Sequence, residues 1–159
     1  MEKFNNMGDA STEIAYWEDM RDSRVHRYGP LVFTTELLDK LLDMLGEKHP
    51  IHTGATKASG GIPVSRIVPG GYIHAVTSGW IVEHGSAAAI VGLRSMHWDF
   101  VRPLLPDVPF YFTTETEESS VVNSSVGLIS SLRRVTDEDD QTYAIGRMNA
   151  LVRRRENNI

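Results

Sequence analysis

The sequence predicts an α+β domain, with helices in the first half of the chain and an antiparallel sheet in the second half. Two helical patterns occur before the sheet, at 34–46 and at 71–83. From residue 87 onward, β-branched and aromatic residues partly alternate in segments that turn signals separate. Helices followed by a run of antiparallel strands favour a sheet that wraps around a central helix.

The first helix is predicted from a stripe of leucines that recur at helical spacing. They are Leu37, Leu38, Leu41, Leu42 and Leu45. Thr34 or Thr35 can cap the start of this helix, and Gly46 suits its end. We therefore expect an amphipathic helix over 34–46.

The second helix is predicted from apolar residues at helical spacing with small residues between them. The apolar positions are Tyr72, Ile73, Val76, Trp80 and Ile81, and the small ones are Ala75, Ser78 and Gly79. Small side chains allow another surface to approach closely. This pattern indicates a deeply buried helix, which Gly85 can end.

Four strands are predicted in the second half of the chain. They lie within 87–101, 109–118, 119–136 and 142–154. The acidic stretch "TDEDDQ" at 136–141 is typical of a turn, so we expect the last two strands to form a hairpin.

The composition limits the class of protein. The chain has 159 residues, 41% of them hydrophobic, which suits one domain with a core; we expect a flexible segment at 1–14 and a single domain at 15–159. A net charge of −5 gives no general attraction to nucleic acid or to an anionic membrane. With no cysteine, no apolar N-terminal stretch and no run long enough to span a bilayer, the chain is expected to be cytoplasmic.

The segment 47–71 contains residues suited to acid/base chemistry. It is rich in Gly, Pro, Ser and Thr, has no helical period, and is interpreted as a long functional loop. Pro50 fixes its own φ and biases the preceding residue towards an extended conformation, so Glu47 and His52 can project from a stiff turn. A carboxylate and an imidazole that converge can act as general acid and base at neutral pH.

The stretch "VPGGY" at 68–72 is a candidate oxyanion site. Gly70 and Gly71 at a helix start expose backbone N–H groups and allow a ligand to approach. The helix dipole favours negative charge there, so this position can polarise a carbonyl oxygen. An ordinary turn before a helix is the other interpretation of these glycines.

Taken together, these segments resemble the MaoC-like, or (R)-specific, enoyl-CoA hydratases and dehydratases of the hotdog fold. The family motif Asp-x-Asn-Pro-x-His is similar to "EKHPIH" at 47–52, and "RIVPGGYIHAVTSG" at 66–79 resembles the entry to the central helix of the family. Gly70 lies eighteen residues after His52, which matches the family spacing. With "AYWEDM" at 15–20 and "HWDFVRPLLPDVPFYFTTE" further on, the resemblance covers roughly 15–154.

The resemblance implies hydration or dehydration of an enoyl or 3-hydroxyacyl thioester in a homodimer. Glu47 and His52 would be the acid/base pair, the Gly70 N–H would be the oxyanion donor, and Gly71, Ser78 and His49 would support the substrate. It implies no metal or redox cofactor, since CoA or the phosphopantetheine of an acyl carrier protein enters only as part of the substrate. No nucleic acid or membrane partner is implied.

The sequence departs from the family pattern at four positions, and alternatives remain open. Glu47 replaces Asp, His49 replaces Asn, Gly54 stands where many members have Asp, and Pro69 stands where His is usual. A hotdog acyl-thioesterase and a non-catalytic acyl-binding or assembly subunit are the rival functions. A metal site on Glu47, His49 and His52 is a further alternative. Some arginines could contact the phosphates of CoA or the acidic surface of a carrier protein, but most are interpreted as solvated. The arginines considered are Arg66, Arg94, Arg102, Arg133, Arg134, Arg147 and those at 153–155.

Overall fold

The computed structural model describes residues 14–22, 25–54, 66–84 and 89–155. Within these ranges the chain forms a five-stranded antiparallel sheet and a long helix packed against it. The α+β class predicted from the sequence is confirmed. The predicted flexible segment, apart from Ile14, lies outside the described residues, and so do residues 55–65 of the predicted loop 47–71.

The sheet contains every strand of the described chain, and all neighbouring strands are antiparallel. The strands are β1 (His26–Val32), β2 (Ile90–Phe100), β3 (Pro109–Val121), β4 (Val126–Thr136) and β5 (Thr142–Arg153). Their order across the sheet is β1-β3-β4-β5-β2, so β1 and β2 are the edges. The acidic turn joins β4 to β5 as predicted, and Asp137 Oδ1 accepts hydrogen bonds there from the backbone N–H groups of Asp139 (3.1 Å) and Gln141 (2.8 Å).

Four helices lie in the described chain, two of them close to the predicted bounds. They are α1 (Trp17–Met20), α2 (Thr35–Leu45), α3 (Pro50–Thr53) and α4 (Gly70–His84). Thr34 caps α2 because its hydroxyl accepts a hydrogen bond from the Leu37 N–H at 3.1 Å. Gly46 ends α2 in the left-handed conformation, at φ 66°. None of these helices combines the length and the apolar character that a bilayer crossing requires.

The helix α4 contributes to the main core together with the sheet. Ile73 is buried, and Val76, Trp80 and Ile81 pack beside it. The facing side chains come from β1, β3, β4 and β5 and include Leu31, Phe110, Phe112, Val135 and Ala144. Of the described side chains of α4, only Ile73 and Thr77 are buried, whereas Ala75, Gly79 and Val82 are exposed. The prediction of a deeply buried helix is therefore wrong, because the described part of this chain covers one side of α4 only.

A smaller core holds α1 against the far end of the sheet and brings together two remote parts of the chain. The Trp17 indole lies directly over Gly127, where a Cβ would come within 2.3 Å of the ring, and its Nε1 donates to the Leu128 carbonyl at 3.1 Å. Arg154 Nε donates to Glu18 Oε1 at 3.3 Å, so the residues after β5 are tied to α1.

Four details differ from the sequence predictions, and the first is that the short helix α1 was not predicted. The edge strand β1 was not predicted, because Gly29 and Pro30 interrupt "HRYGPLV" and the pairing with β3 is irregular between Tyr28 and Leu31. The predicted loop contains α3, where Pro50 occupies a first-turn position. The predicted strand 119–136 is divided between the end of β3 and the whole of β4. The division occurs because Asn123 Oδ1 accepts hydrogen bonds from two backbone N–H groups, at 2.9 Å each, and so forms a turn before Val126.

Candidate functional site

A cleft of about 340 Å³ lies where α4 begins. Its walls come from α3, from the segment leading into α4, and from the end of β2 and the residues that follow. The lining residues are His52, Ile67, Val68, Gly70, Ile73, Phe100, Val101, Arg102, Pro103 and Leu104. Of the six site residues predicted from the sequence, all within the described chain, His52 and Gly70 line this cleft and the other four do not.

His52 lies in α3 with its ring orientation set by a backbone carbonyl. Its Nδ1 is 3.0 Å from the Ile67 oxygen. Because a carbonyl oxygen can only accept, Nδ1 carries the hydrogen, and in the neutral ring the lone pair is on Nε2. An imidazole held in this tautomer can take a proton at Nε2 and return it.

His49 does not line the cleft but caps the helix that carries His52. Its backbone is extended, and its Nδ1 accepts a hydrogen bond from the Ile51 N–H at 3.3 Å. An asparagine side chain is among the best residues for this capping position. The replacement of the motif Asn by His49 therefore keeps an acceptor at the start of α3.

Glu47 is held by the same turn. Its Oε1 accepts from the His49 N–H at 2.7 Å, which fixes the carboxylate two residues before the cap. The pKa of Tyr72 is raised, first by burial of its hydroxyl and then by the negative charge of Glu47. The Tyr72 hydroxyl is buried and has no hydrogen-bond partner among the described residues. In the sequence, Tyr72 fits the apolar pattern of α4, and nothing in that periodicity distinguishes it from an ordinary core residue.

Gly70 is the first residue of α4, and the aromatic ring of Phe100 lies close to its Cα. A Cβ at this position would lie 2.3 to 2.7 Å from three atoms of the Phe100 ring. Its N–H belongs to the first turn of the helix, where the backbone donors have no partner within the helix. Gly71, which follows, is exposed, and a Cβ there would meet nothing within 4 Å.

Ser78 lies two turns further along α4 and contacts a buried arginine of β4. Arg133 Nη1 donates to Thr77 Oγ1 at 2.8 Å and to Ser78 Oγ at 3.0 Å. Arg133 is only 6% exposed, and burial lowers its pKa to about 10. Arg133 is therefore an exception to the interpretation of the arginines as mainly solvated. It shares a sheet face with the buried Val135, so the alternation of β4 could have revealed its position.

An aromatic cluster lies behind the Phe100 wall of the cleft. The Trp98 ring stacks on Phe100 at 6.0 Å between centroids and covers Gly146, and the His74 ring meets Trp98 edge-on at 5.9 Å. Trp98 Nε1 and His74 Nδ1 are buried without a hydrogen-bond partner among the described residues. Burial, and then the charge of Arg133, lowers the pKa of His74 and favours its neutral form.

The guanidinium of Arg102, which lines the cleft, is paired with a carboxylate of the protein. Its Nη2 donates to Asp137 Oδ2 and to the Gln141 carbonyl, each at 2.7 Å, and the group lies 4.0 Å from the centre of the Tyr143 ring. The pKa of Asp137 is lowered, chiefly by the hydrogen bond from Arg102. The lining side chains of the cleft are otherwise apolar except for His52. Among the residues that the structure describes, no group of three His, Cys, Asp or Glu side chains could hold a metal ion.

Comparison with known proteins gives no match to a family model and no match to a curated protein sequence. Solved structures do match. A putative MaoC domain protein dehydratase from Chloroflexus aurantiacus has a TM-score of 0.80 at 13% identity, over 96% of this chain and 44% of that one. An R-hydratase from Pseudomonas aeruginosa has a TM-score of 0.64 at 14% identity, over 89% of this chain and 88% of that one.

A third match supplies the name of the architecture. A conserved protein from Mycobacterium tuberculosis, described as having a double hotdog fold, gives a TM-score of 0.72 at 16% identity, over 91% of this chain and 46% of that one. The chain adopts the hotdog fold. The hotdog structures that it matches include MaoC-like dehydratases and R-hydratases, as the resemblance of the sequence predicted. At these low identities the likeness establishes the hotdog architecture, and the chemistry depends on the residues of the site.

Proposed function

We propose that this hotdog protein adds water to, or removes it from, the α,β-double bond of an acyl thioester. One observation carries the proposal: the His52 imidazole and the glycine that starts α4 line the same cleft. An imidazole with a free Nε2 lone pair supplies a proton acceptor, and an unpaired helix N–H supplies an oxyanion donor. Addition of water to the double bond of an enoyl thioester, or its removal from a 3-hydroxyacyl thioester, requires that the proton acceptor and the oxyanion donor reach the same substrate.

The roles follow from the chemistry of the reaction. In the dehydration direction, a base removes the C2 proton, and negative charge develops on the thioester oxygen, where the Gly70 N–H would hold it. The electron pair then forms the double bond, and the C3 hydroxyl leaves as water after it receives a proton. His52 and Glu47 would share the removal and delivery of these protons, with Ser78, Gly71 and His49 as supporting residues.

The lining of the cleft supports an acyl substrate. An apolar wall that suits a hydrocarbon chain comes from Ile67, Val68, Ile73 and Leu104, and the lining residue Arg102 is paired with Asp137. The carrier group, CoA or phosphopantetheine, would lie outside this wall. No cofactor beyond the substrate is needed for the proposed chemistry, and the cytoplasmic location expected from the sequence stays a prediction.

The edge strand β2 supports the proposed homodimer. Within the described residues β2 pairs with β5 alone, so on its other side the backbone groups have no strand partner there. Several of its apolar side chains are more than half exposed, namely Ile90, Val91, Leu93 and Met96. Exposed apolar residues along a free strand are typical of an interaction surface.

The test is an assay of water addition and removal with matched variants. Enoyl and 3-hydroxyacyl thioesters of several chain lengths, on CoA and on pantetheine, would be followed by loss of the enoyl absorbance and by mass spectrometry. We expect His52→Ala and Glu47→Gln each to reduce turnover by about a hundredfold or more with the fold retained. Glu36→Gln is the matched control, because Glu36 is an exposed carboxylate of α2 that pairs with Lys40.

The outcomes separate the rival functions. Wild-type activity in either His52→Ala or Glu47→Gln would contradict the proposed mechanism. Release of free thiol from saturated acyl thioesters, without addition of water to enoyl thioesters, would indicate a thioesterase. Binding of acyl thioesters without either reaction would indicate an acyl-binding subunit.

A further inference from the structure

An arginine that does not line the cleft joins the helices α2 and α3 beside His52. Arg66 Nε donates to the His52 backbone carbonyl at 2.5 Å, and Arg66 Nη2 donates to Asp39 Oδ1 of α2. The Arg66 side chain is only 17% exposed, whereas the Asp39 side chain is 60% exposed. Arg66 therefore extends inward from the surface carboxylate of α2 to the backbone of α3.

The backbone next to Arg66 holds α3 at two further points. The Ile67 N–H donates to the Ile51 carbonyl at 3.0 Å, and the Ile67 carbonyl is the acceptor for His52 Nδ1. One residue on, the Val68 N–H donates to the Leu104 carbonyl, at 2.8 Å, on the opposite wall of the cleft. The stretch 66–68 thus holds α3 on one side and the cleft wall on the other.

The C-terminal end of α3 makes this support necessary. A helix of four residues is too short to be stable alone, and its last carbonyls have no partner within the helix. The His52 carbonyl is one of these, and the Arg66 guanidinium supplies it with a charged donor. The methylene groups of Arg66 also pack beside Gly54, which ends α3 at φ 75°.

We propose that Arg66, anchored by Asp39, is a positioning residue that fixes the orientation and tautomer of His52. The inference rests on the proposed role of His52 and adds to it a residue outside the cleft. It differs from both interpretations of the arginines, solvation and a phosphate contact, because Arg66 Nε and Nη2 both donate to groups within the protein. Loss of the guanidinium would release the α3 carbonyl and free the ring to rotate away from the Ile67 oxygen.

The test combines histidine NMR with kinetics. In protein labelled with ¹⁵N-histidine, the wild type is expected to give the Nδ1–H pattern for His52, assigned by its loss in His52→Ala. Arg66→Gln is expected to give a mixture of tautomers and a fall in kcat of about tenfold to a hundredfold, with a much smaller change in KM. Arg66→Lys should restore part of kcat, since an ammonium can reach only one of the two acceptors at a time.

Two further variants make the test decisive. Asp39→Asn removes the exposed anchor and should shift the tautomer and kcat in the same direction by less. Arg27→Gln, which breaks the exposed pair of Arg27 with Asp140, should change neither. If Arg66→Gln does not fold, the His52 signal of Asp39→Asn tests the proposal instead. A changed signal in that variant supports the proposal, and an unchanged signal overturns it.

The results also distinguish this inference from the proposed function. An unchanged His52 signal in folded Arg66→Gln, with KM raised only for CoA thioesters, would overturn the positioning role and indicate a phosphate contact. A changed signal in a protein inactive on every thioester would support the positioning of His52 while contradicting the hydratase function.

Discussion

At the scale of single residues, the cleft depends on side chains whose neighbours fix what they can do. His52 has its free lone pair on Nε2 because Nδ1 faces the Ile67 carbonyl. Gly70 leaves room for the Phe100 ring because it has no Cβ. Each of these is a property of the residue together with one contact, so single substitutions can test them separately.

The substitution Gly70→Ala tests the space at the start of α4. The new Cβ would lie 2.3 Å from the Phe100 ring, and this ring is an exposed side chain that can move. We therefore expect the fold to persist, Phe100 to be displaced into the cleft, and kcat/KM for enoyl thioesters to fall about tenfold or more. Gly79→Ala is the control in the same helix, since a Cβ there meets nothing within 4 Å.

Equal activity of Gly70→Ala and Gly79→Ala would contradict this expectation. A crystal structure of Gly70→Ala would then show whether Phe100 had moved. Circular dichroism melts of both variants provide the check that the fold persists.

At the scale of elements, each helix near the cleft is ended or capped by residues that also connect it to its neighbours. His49 caps α3, and its backbone N–H donates a hydrogen bond to the carboxylate of Glu47. Asp107, which lies between β2 and β3, holds the start of α2 through two hydrogen bonds, accepting from the Thr35 N–H at 2.9 Å and from the Thr35 hydroxyl at 2.6 Å. The helix carrying Asp39 is therefore fixed from the sheet side.

The carboxylate of Asp107 makes the stability of α2 depend on pH. The hydrogen bonds from Thr35 hold the pKa of Asp107 below its usual 3.8. A carboxylate with a depressed pKa contributes stability that is full above the unfolded pKa and is lost as the pH falls through the folded one. We expect Asp107→Ala to lower Tm at pH 7 and the difference from the wild type to shrink below pH 3.8.

The measurement is a series of thermal melts of wild type and Asp107→Ala between pH 7 and pH 2.5. Glu138→Ala, an exposed carboxylate in the β4–β5 turn, is the comparison for a general charge effect. A difference in Tm that stays constant down to the lowest pH would contradict the role given to ionised Asp107.

At the scale of the whole molecule, the two edge strands of the described sheet differ in how readily another strand could pair with them. β1 is short and interrupted by Gly29 and Pro30, which discourages the addition of another strand. β2 is eleven residues long, and its Val91, Leu93 and Met96 are exposed. Because β2 leads directly into the wall of the cleft at Phe100, association along β2 would also affect the site.

The edge strand β2 predicts how the chain associates in solution. We expect light scattering after size exclusion to give about twice the chain mass of 17.8 kDa. Val91→Lys with Leu93→Lys should yield the monomer, because lysines on an edge strand oppose pairing. Val121→Lys, a residue 54% exposed at the end of β3, is the matched control. A wild type that is monomeric at high concentration would contradict the homodimer.

Much of the fold was predictable because its signals are local. The leucine stripe defined α2, the acidic turn defined the β4–β5 hairpin, and the apolar pattern from Tyr72 onward defined α4. β1 was missed because Gly29 and Pro30 break the alternation that identifies a strand. The α3 helix was missed because four residues are too few to show a period.

The site was predictable only in part, because its geometry depends on contacts between distant segments. The sequence indicated His52 and Gly70 as candidates, and the two residues do line one cleft. It gave no indication that Phe100 forms the wall beside Gly70, since that contact joins β2 to α4. Nor could it show that Arg66 points inward, which depends on Asp39, twenty-seven positions earlier in the chain.

The stacking of Trp98 on Phe100 gives the cleft a natural fluorophore. The indole lies one ring away from any molecule that enters, and its buried Nε1 has no hydrogen-bond partner among the described residues, so its emission is sensitive to small changes nearby. Trp17, seated on Gly127 in the separate small core, supplies an internal reference. Occupancy of the cleft is therefore open to optical titration without a label.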